Sequence, residues 1–131
     1  RNPNHIRPWQ HVIEPTVGYL KLAESQYKKR LLHKNPNWNF GPDKKSFVKV
    51  IDIVKNIKKK INIKFTINRN QSFFETKILK INSSKAKKYL NWHPIWDVNK
   101  SINNIIEWND QLKKTKNAKK ICEDQIKSYF K

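Results

Sequence analysis

Arg7-Pro8-Trp9-Gln10-His11 sets a guanidinium, a carboxamide and an imidazole within five residues, shortly after Arg1 and Asn2. A guanidinium offers a planar fork of N–H donors that fits two oxygens of a phosphate, and Pro8 stiffens the backbone beside it. Arg7 is therefore the first candidate for meeting an anion, against a pairing to Glu14 or to solvent that the residues alone favour. His11 has no carboxylate at hydrogen-bond spacing in the sequence, so packing is favoured over acid–base work. His33 and His93 stand far from any Cys or acidic cluster, which leaves no set of metal ligands. Cys122 has only Lys119 and Lys120 nearby and reads as inert, and a single cysteine excludes an internal disulfide.

These residues need elements to hold them. Trp9 to Ile13 reads as a short extended piece, and Pro15 suits the first position of a helix. Val17, Leu20, Ala23, Tyr27 and Leu31 then recur at three- and four-residue steps, predicting one buried face on a helix that ends near His33. Trp38-Asn39-Phe40 reads as a short strand stopped by Gly41-Pro42-Asp43. Ser46 suits the N-cap of a second helix with Phe47, Val50, Ile51, Val54 and Ile57 inward, closing at Lys58-Lys59-Lys60. Ile61, Ile63, Phe65 and Ile67 alternate with polar residues, the pattern of a half-buried strand.

The second half continues in the same style. Ile78 to Ile81 is a short apolar strand, and Ser84 through Leu90 a short helix, with Asn91 suited to the left-handed closing position. Trp92-His93-Pro94-Ile95-Trp96 is an aromatic loop. Asp97 or Asn99 caps a helix carrying Ile102, Ile105, Ile106, Asn109 and Leu112. A Lys-rich link, Lys113 to Lys120, leads to a last helix from Glu123 to Phe130 with Ile126 and Tyr129 inward. The fold class is α/β, with short strands and medium helices, divided at 1–113 and 114–131.

Composition bounds the function. The 131 residues are 37% apolar, below the roughly 45–50% usual in soluble domains. No apolar run approaches the ~20 residues a membrane span needs. A formal charge of +19 invites a nucleic-acid partner, yet 25 of the 29 basic residues are lysine and only four are arginine, spread over every element. Lysine, asparagine and isoleucine are abundant together, at 16 each for the last two. All three have A/T-rich codons, so drift in base composition explains the charge better than selection for a polyanion.

The residues also carry a family resemblance. Arg1-Asn2-Pro3, Arg7 through Pro15, Gly18-Tyr19-Leu20 with Leu22-Ala23-Glu24, and Trp38 through Pro42 resemble the substrate domain of CDP-glucose 4,6-dehydratases. So do Glu75, Leu79 and Lys80, Ser84 through Lys87, Leu90, Trp92, Pro94 and Trp96, Glu107-Trp108, and Gln125-Ile126 with Tyr129. One departure stands out: Phe74 precedes Glu75 where the family has histidine, which puts a substrate role for that segment in doubt.

The resemblance implies the C-terminal substrate-binding portion of an extended short-chain dehydrogenase/reductase whose Rossmann half is missing, and the lack of methionine fits a chain that begins mid-protein. It implies a cytoplasmic, homo-oligomeric lyase converting CDP-glucose to CDP-4-dehydro-6-deoxyglucose and water, for deoxysugar and O-antigen synthesis. NAD and the catalytic residues would belong to the missing half, since two isolated glycines cannot form a phosphate loop, and the fragment alone would be inactive. On this implication Arg7 meets the diphosphate, with Arg1, Asn2, Gln10 and His11 as further nucleotide-sugar contacts. The alternatives are a Lys-rich nucleic-acid-binding module and a sister enzyme acting on another nucleotide-sugar.

Overall fold

In the computed structural model, which describes residues 2–28, 36–68 and 74–131, helices dominate. The order is β1 (Ile6–Pro8), α1 (Ile13–Tyr27), a 3₁₀ turn (Lys44–Ser46), β2 (Phe47–Lys49), α2 (Val50–Lys58), α3 (Ser84–Leu90), α4 (Val98–Thr115) and α5 (Ala118–Tyr129). β1 and β2 pair antiparallel, with Ile6 opposite Lys49, Arg7 opposite Val48 and Pro8 opposite Phe47. The other edge of β1 takes residues 77–79: Ile6 N–H donates to Lys77 O at 2.9 Å and Leu79 N–H to Ile6 O at 3.1 Å. The strand expected at 78–81 is thus a single parallel bridge between Ile6 and Ile78.

Other expected strands do not form. Trp9 N–H bonds Ser46 O at 3.0 Å and the chain then turns into α1 at Ile13, which places Pro15 third in the helix. Residues 38–40 and 61–67 have no strand geometry, and Phe65 and Ile67 are exposed. Alternation supplies a face for a strand, but a ladder also needs a partner edge. Ser46 is not the cap of α2 either; it closes the 3₁₀ turn, and its buried hydroxyl accepts Val98 N–H at 3.1 Å.

The helix signals hold better. α3 spans the expected residues, and Asn91 adopts φ 46° behind it. Asp97 caps α4 by accepting Lys100 N–H at 2.8 Å. α4 continues to Thr115, Lys116 turns at φ 53°, and Asn117 caps α5 by accepting Lys120 N–H at 3.0 Å. The expected lysine link therefore shrinks to two residues between helices. On α5 the inward residues are Ile121 and Tyr129, while Ile126 is 47% exposed.

α1 turns a different face to the core from the one the spacing predicts. Leu20 and Tyr27 are 64% and 88% exposed, whereas Glu14 and Gly18 are buried; Leu31 and His33 lie outside the described residues. Gly18 is the reason for the close approach. A Cβ there would overlap the Phe40 ring, which packs with Ala86, Leu90 and Trp92 against Val17, Leu22 and Trp38. A second cluster joins Ile53, Val98 and Ile102 with Trp9, Val48, Ile57 and Ile106.

Glu14 ties these parts together. It is fully buried, and its carboxylate accepts Ile95 N–H at 3.0 Å, Trp96 N–H at 2.6 Å and the Tyr129 hydroxyl at 2.6 Å. Its own carbonyl accepts Trp92 Nε1–H at 3.0 Å. One residue thereby joins the start of α1, the aromatic loop and the end of α5. Burial, and then the Glu14 carboxylate, push the Tyr129 hydroxyl above its ordinary pKa of 10.0.

Two outcomes follow. Glu14→Ala strands two backbone N–H groups and a hydroxyl, and should cost about 3 kcal/mol or more in urea denaturation; a loss below about 1 kcal/mol would show that water replaces the carboxylate. Because the folded pKa of Tyr129 lies above its unfolded value, its contribution is whole below pH 10.0 and declines as the pH rises beyond it. The stability gap between wild type and Tyr129→Phe should therefore narrow above that pH, and a constant gap would refute the coupling.

Candidate functional site

β1 positions Arg7. The strand is held on both edges, and Pro8 follows with a fixed φ, so the guanidinium projects from a rigid base. Arg7 Nη1 donates to Ile6 O at 2.8 Å, folding the side chain back along the strand. Its Nη2 donates to Glu75 Oε1 at 2.6 Å and lies 3.2 Å from His5 Nδ1. The amide of buried Asn2 donates to the other oxygen, Glu75 Oε2. The partner of Arg7 is therefore Glu75, 68 residues away, and not Glu14.

The hydrogen-bond logic assigns His5. Arginine only donates, so in the contact with Arg7 Nη2 it is His5 Nδ1 that accepts. His5 Nδ1 also lies 3.6 Å from Glu75 Oε2. The Arg7 and Glu75 side chains are 19% and 31% exposed, so their pair is only partly screened by water. Of the five guanidinium N–H groups, Nε–H and one Nη1–H stand outside these contacts. A cavity of about 360 Å³ opens beside the cluster, lined by Asn2, Pro3, Asn4, His5 and Lys77.

The other candidates are placed elsewhere. Gln10 Nε2 donates to Phe40 O at 2.9 Å, and its buried Oε1 has no partner among the described residues. His11 is buried, accepts Ile13 N–H at Nδ1 (3.3 Å) and stacks edge-on against Trp96, ring centres 5.0 Å apart. Burial lowers its pKa below the ordinary 6.5. Arg1 lies outside the described residues. Asn2 and Arg7 thus converge on one carboxylate, while Gln10 and His11 brace the turn into α1.

His5 and Glu75 complete the cluster, and neither was chosen from the sequence as a contact of Arg7. Their available signal was chemical scarcity: a carboxylate is one of ten against 29 basic residues. Cys122, read as inert, is exposed and accepts Trp108 Nε1–H at 3.4 Å. The tryptophans of the aromatic loop are core residues, Trp92 fully buried and Trp96 nearly so.

No protein-family model matches the chain. It is 33% identical over 113 residues to the CDP-glucose 4,6-dehydratase of Salmonella typhimurium. The alignment takes in 82% of this chain and 30% of that protein, so the chain spans about 30% of the length of the curated relative it matches. No described helix is long and apolar enough to cross a membrane.

The buried His11 makes a pH prediction. Its folded pKa is below the unfolded value, so its contribution is whole above pH 6.5 and is lost as the pH falls through the folded pKa. His11→Phe should flatten the acid limb of a stability-versus-pH curve below about pH 6.5, the ordinary imidazole value. Wild-type and variant curves that stay parallel would rule this out.

Proposed function

We propose that this chain is the nucleotide-sugar-binding part of a CDP-glucose 4,6-dehydratase of the extended short-chain dehydrogenase/reductase type. The intact enzyme converts CDP-D-glucose to CDP-4-dehydro-6-deoxy-D-glucose and water, a step toward deoxysugars of surface polysaccharide. Similarity to the Salmonella dehydratase across most of the chain carries this reading. The rigid presentation of Arg7 supports it, because a diphosphate is a natural ligand for a fixed guanidinium. Residues 1–113 form the binding part, and 114–131 close its C-terminal side.

The reading assigns this chain binding and orientation only. Its glycines do not suit the NAD of such enzymes: Gly18 lies inside α1 against Phe40, and a Cβ on Gly41 would stand 2.6 Å from Ile81 Cβ. Both serve packing, and neither lets backbone approach a pyrophosphate. NAD and the reacting groups are on this proposal held outside these 131 residues, in a cytoplasmic homo-oligomer.

Calorimetric titration with CDP-glucose, of the chain and of the longest reading frame containing it, tests the proposal. Binding is expected, and Arg7→Ala should weaken it by about 10- to 100-fold, the size of a lost charge-assisted hydrogen bond. Unchanged affinity in Arg7→Ala would remove Arg7 from the site. Absence of CDP-glucose binding, with polynucleotide affinity falling steeply as salt rises, would favour the Lys-rich nucleic-acid module instead. Tighter binding of another nucleotide-sugar would point to the sister enzyme.

A further inference from the structure

The turn into α1, together with α4 and α5, walls a cavity of about 420 Å³, inside the roughly 300–1,000 Å³ usual for small-molecule sites. Val12, Ile13, Ile105, Trp108 and Ile126 make most of its surface. Val12, Ile105 and Ile126 are 70%, 55% and 47% exposed, so this is apolar area in contact with water that a ligand would cover. Trp108 commits its indole N–H to Cys122 Sγ at 3.4 Å and leaves its ring to pack. No lysine, arginine or carboxylate lines the cavity, in a chain with 29 basic residues. Cavities elsewhere do carry lysines: Lys80 and Lys87 in one, Lys77 in another, Lys21 and Lys28 in a third.

Two polar side chains on the wall define what else a ligand needs. His11 is 4% exposed, and its Nδ1 accepts Ile13 N–H at 3.3 Å. In the neutral ring, which burial favours, the proton therefore sits on Nε2. Nε2 has no hydrogen-bond partner among the described residues, yet it is not one of the atoms sealed away without one. It thus opens onto the space that His11 lines, which is this cavity. Gln125 commits its Nε2 to Asn104 O at 2.7 Å, so only an acceptor oxygen remains on that side.

We propose that this cavity binds a small uncharged ring compound between its apolar walls, with a carbonyl oxygen of the ligand accepting the His11 Nε2 proton. An anion would find no cation on the wall, and a cation would find no carboxylate. An extended peptide would bring backbone N–H and C=O groups that these walls cannot satisfy. A second copy of the chain would bring another +19 of charge against the first. The site is separate from the nucleotide-sugar reading: Arg7 lines no part of it, so loss of that reading would leave it intact.

Acetophenone and α-methylstyrene test the proposal, because they share a shape and differ in the carbonyl oxygen. Cys122 is the single cysteine and borders the cavity, so its alkylation by iodoacetamide, followed by mass spectrometry, reports occupancy at this place. Both probes should slow the alkylation of the purified chain in a saturable way. Acetophenone should act at about 3- to 10-fold lower concentration, the size of one neutral hydrogen bond. His11→Phe keeps a ring but removes the donor, and should erase that preference while α-methylstyrene still binds. Ile126→Trp, at a half-exposed position, fills the cavity from its rim and should weaken both probes. Leu20→Ala, on the exposed face of α1 and outside the cavity, should change neither. Circular dichroism of each variant reports folding.

Failure of both probes to protect Cys122, equal potency of the two, or a preference that survives His11→Phe would overturn the proposal. Protection by CDP-glucose that Ile126→Trp removes would give the cavity to the nucleotide-sugar instead. A dimer in sedimentation that Ile126→Trp dissociates would give it to a second copy.

Discussion

A carboxylate with no access to water is the constraint on which the described fold depends. Burying an ion is costly unless its lone pairs are filled, and Glu14 meets that demand with donors from two other parts of the chain: the aromatic loop supplies the Ile95 and Trp96 N–H groups, and α5 supplies the Tyr129 hydroxyl. It also lies in the first turn of α1, where the helix dipole favours negative charge. Satisfying that single group sets where α1 starts, where the loop before α4 passes and where α5 ends. The aromatic contacts of His11 with Trp96 and of Trp96 with Tyr129 fill the space around it. β1 enters this corner through Trp9 and Gln10, so the position of Arg7 is inherited from the same knot.

A second carboxylate plays a different role a short way along the strand. Glu75 is partly exposed, belongs to no regular element and meets a cation, whereas Glu14 is sealed and meets neutral donors. The contrast follows from the cost of moving each. Removing Glu14 leaves backbone groups stranded in the core, while moving Glu75 exposes side chains that already border solvent. A chain with only ten acidic residues against 29 basic ones places these two at its points of convergence. The excess lysines are distributed over helices, turns and loops alike, and Lys77 lines the cavity beside the Glu75 cluster.

Local signals in the sequence carried over wherever a single turn of chain decides the outcome. Asp97 caps α4, Asn91 takes the left-handed position behind α3, and the lysines after α2 are exposed at its end. Strands fared worse because a ladder requires a second edge that spacing cannot supply: 61–67 alternates well and pairs with nothing described, while the unremarkable Ile6–Pro8 is bonded on both sides. The inward face of α1 departs from the spacing for a related reason. Leu20 and Tyr27 look like core residues, but the helix approaches its neighbour through Gly18, where the absence of a side chain admits the Phe40 ring.

The candidate site divides along the same line. Residue type alone determined that Arg7 beside Pro8 is a stiff, bidentate donor suited to an anion, because the fork and the ring carry that chemistry wherever they stand. The order of motifs also pointed to the dehydratase relationship. Only the tertiary structure decided that the guanidinium is already met by Glu75 and His5, that Asn2 donates to the same carboxylate, and that the packing expected of His11 is against Trp96. Those facts depend on which distant segments lie against β1, and segment 74–79 reaches it through backbone hydrogen bonds. Such bonds can form with any residue type, so no side chain in that segment announces them in advance.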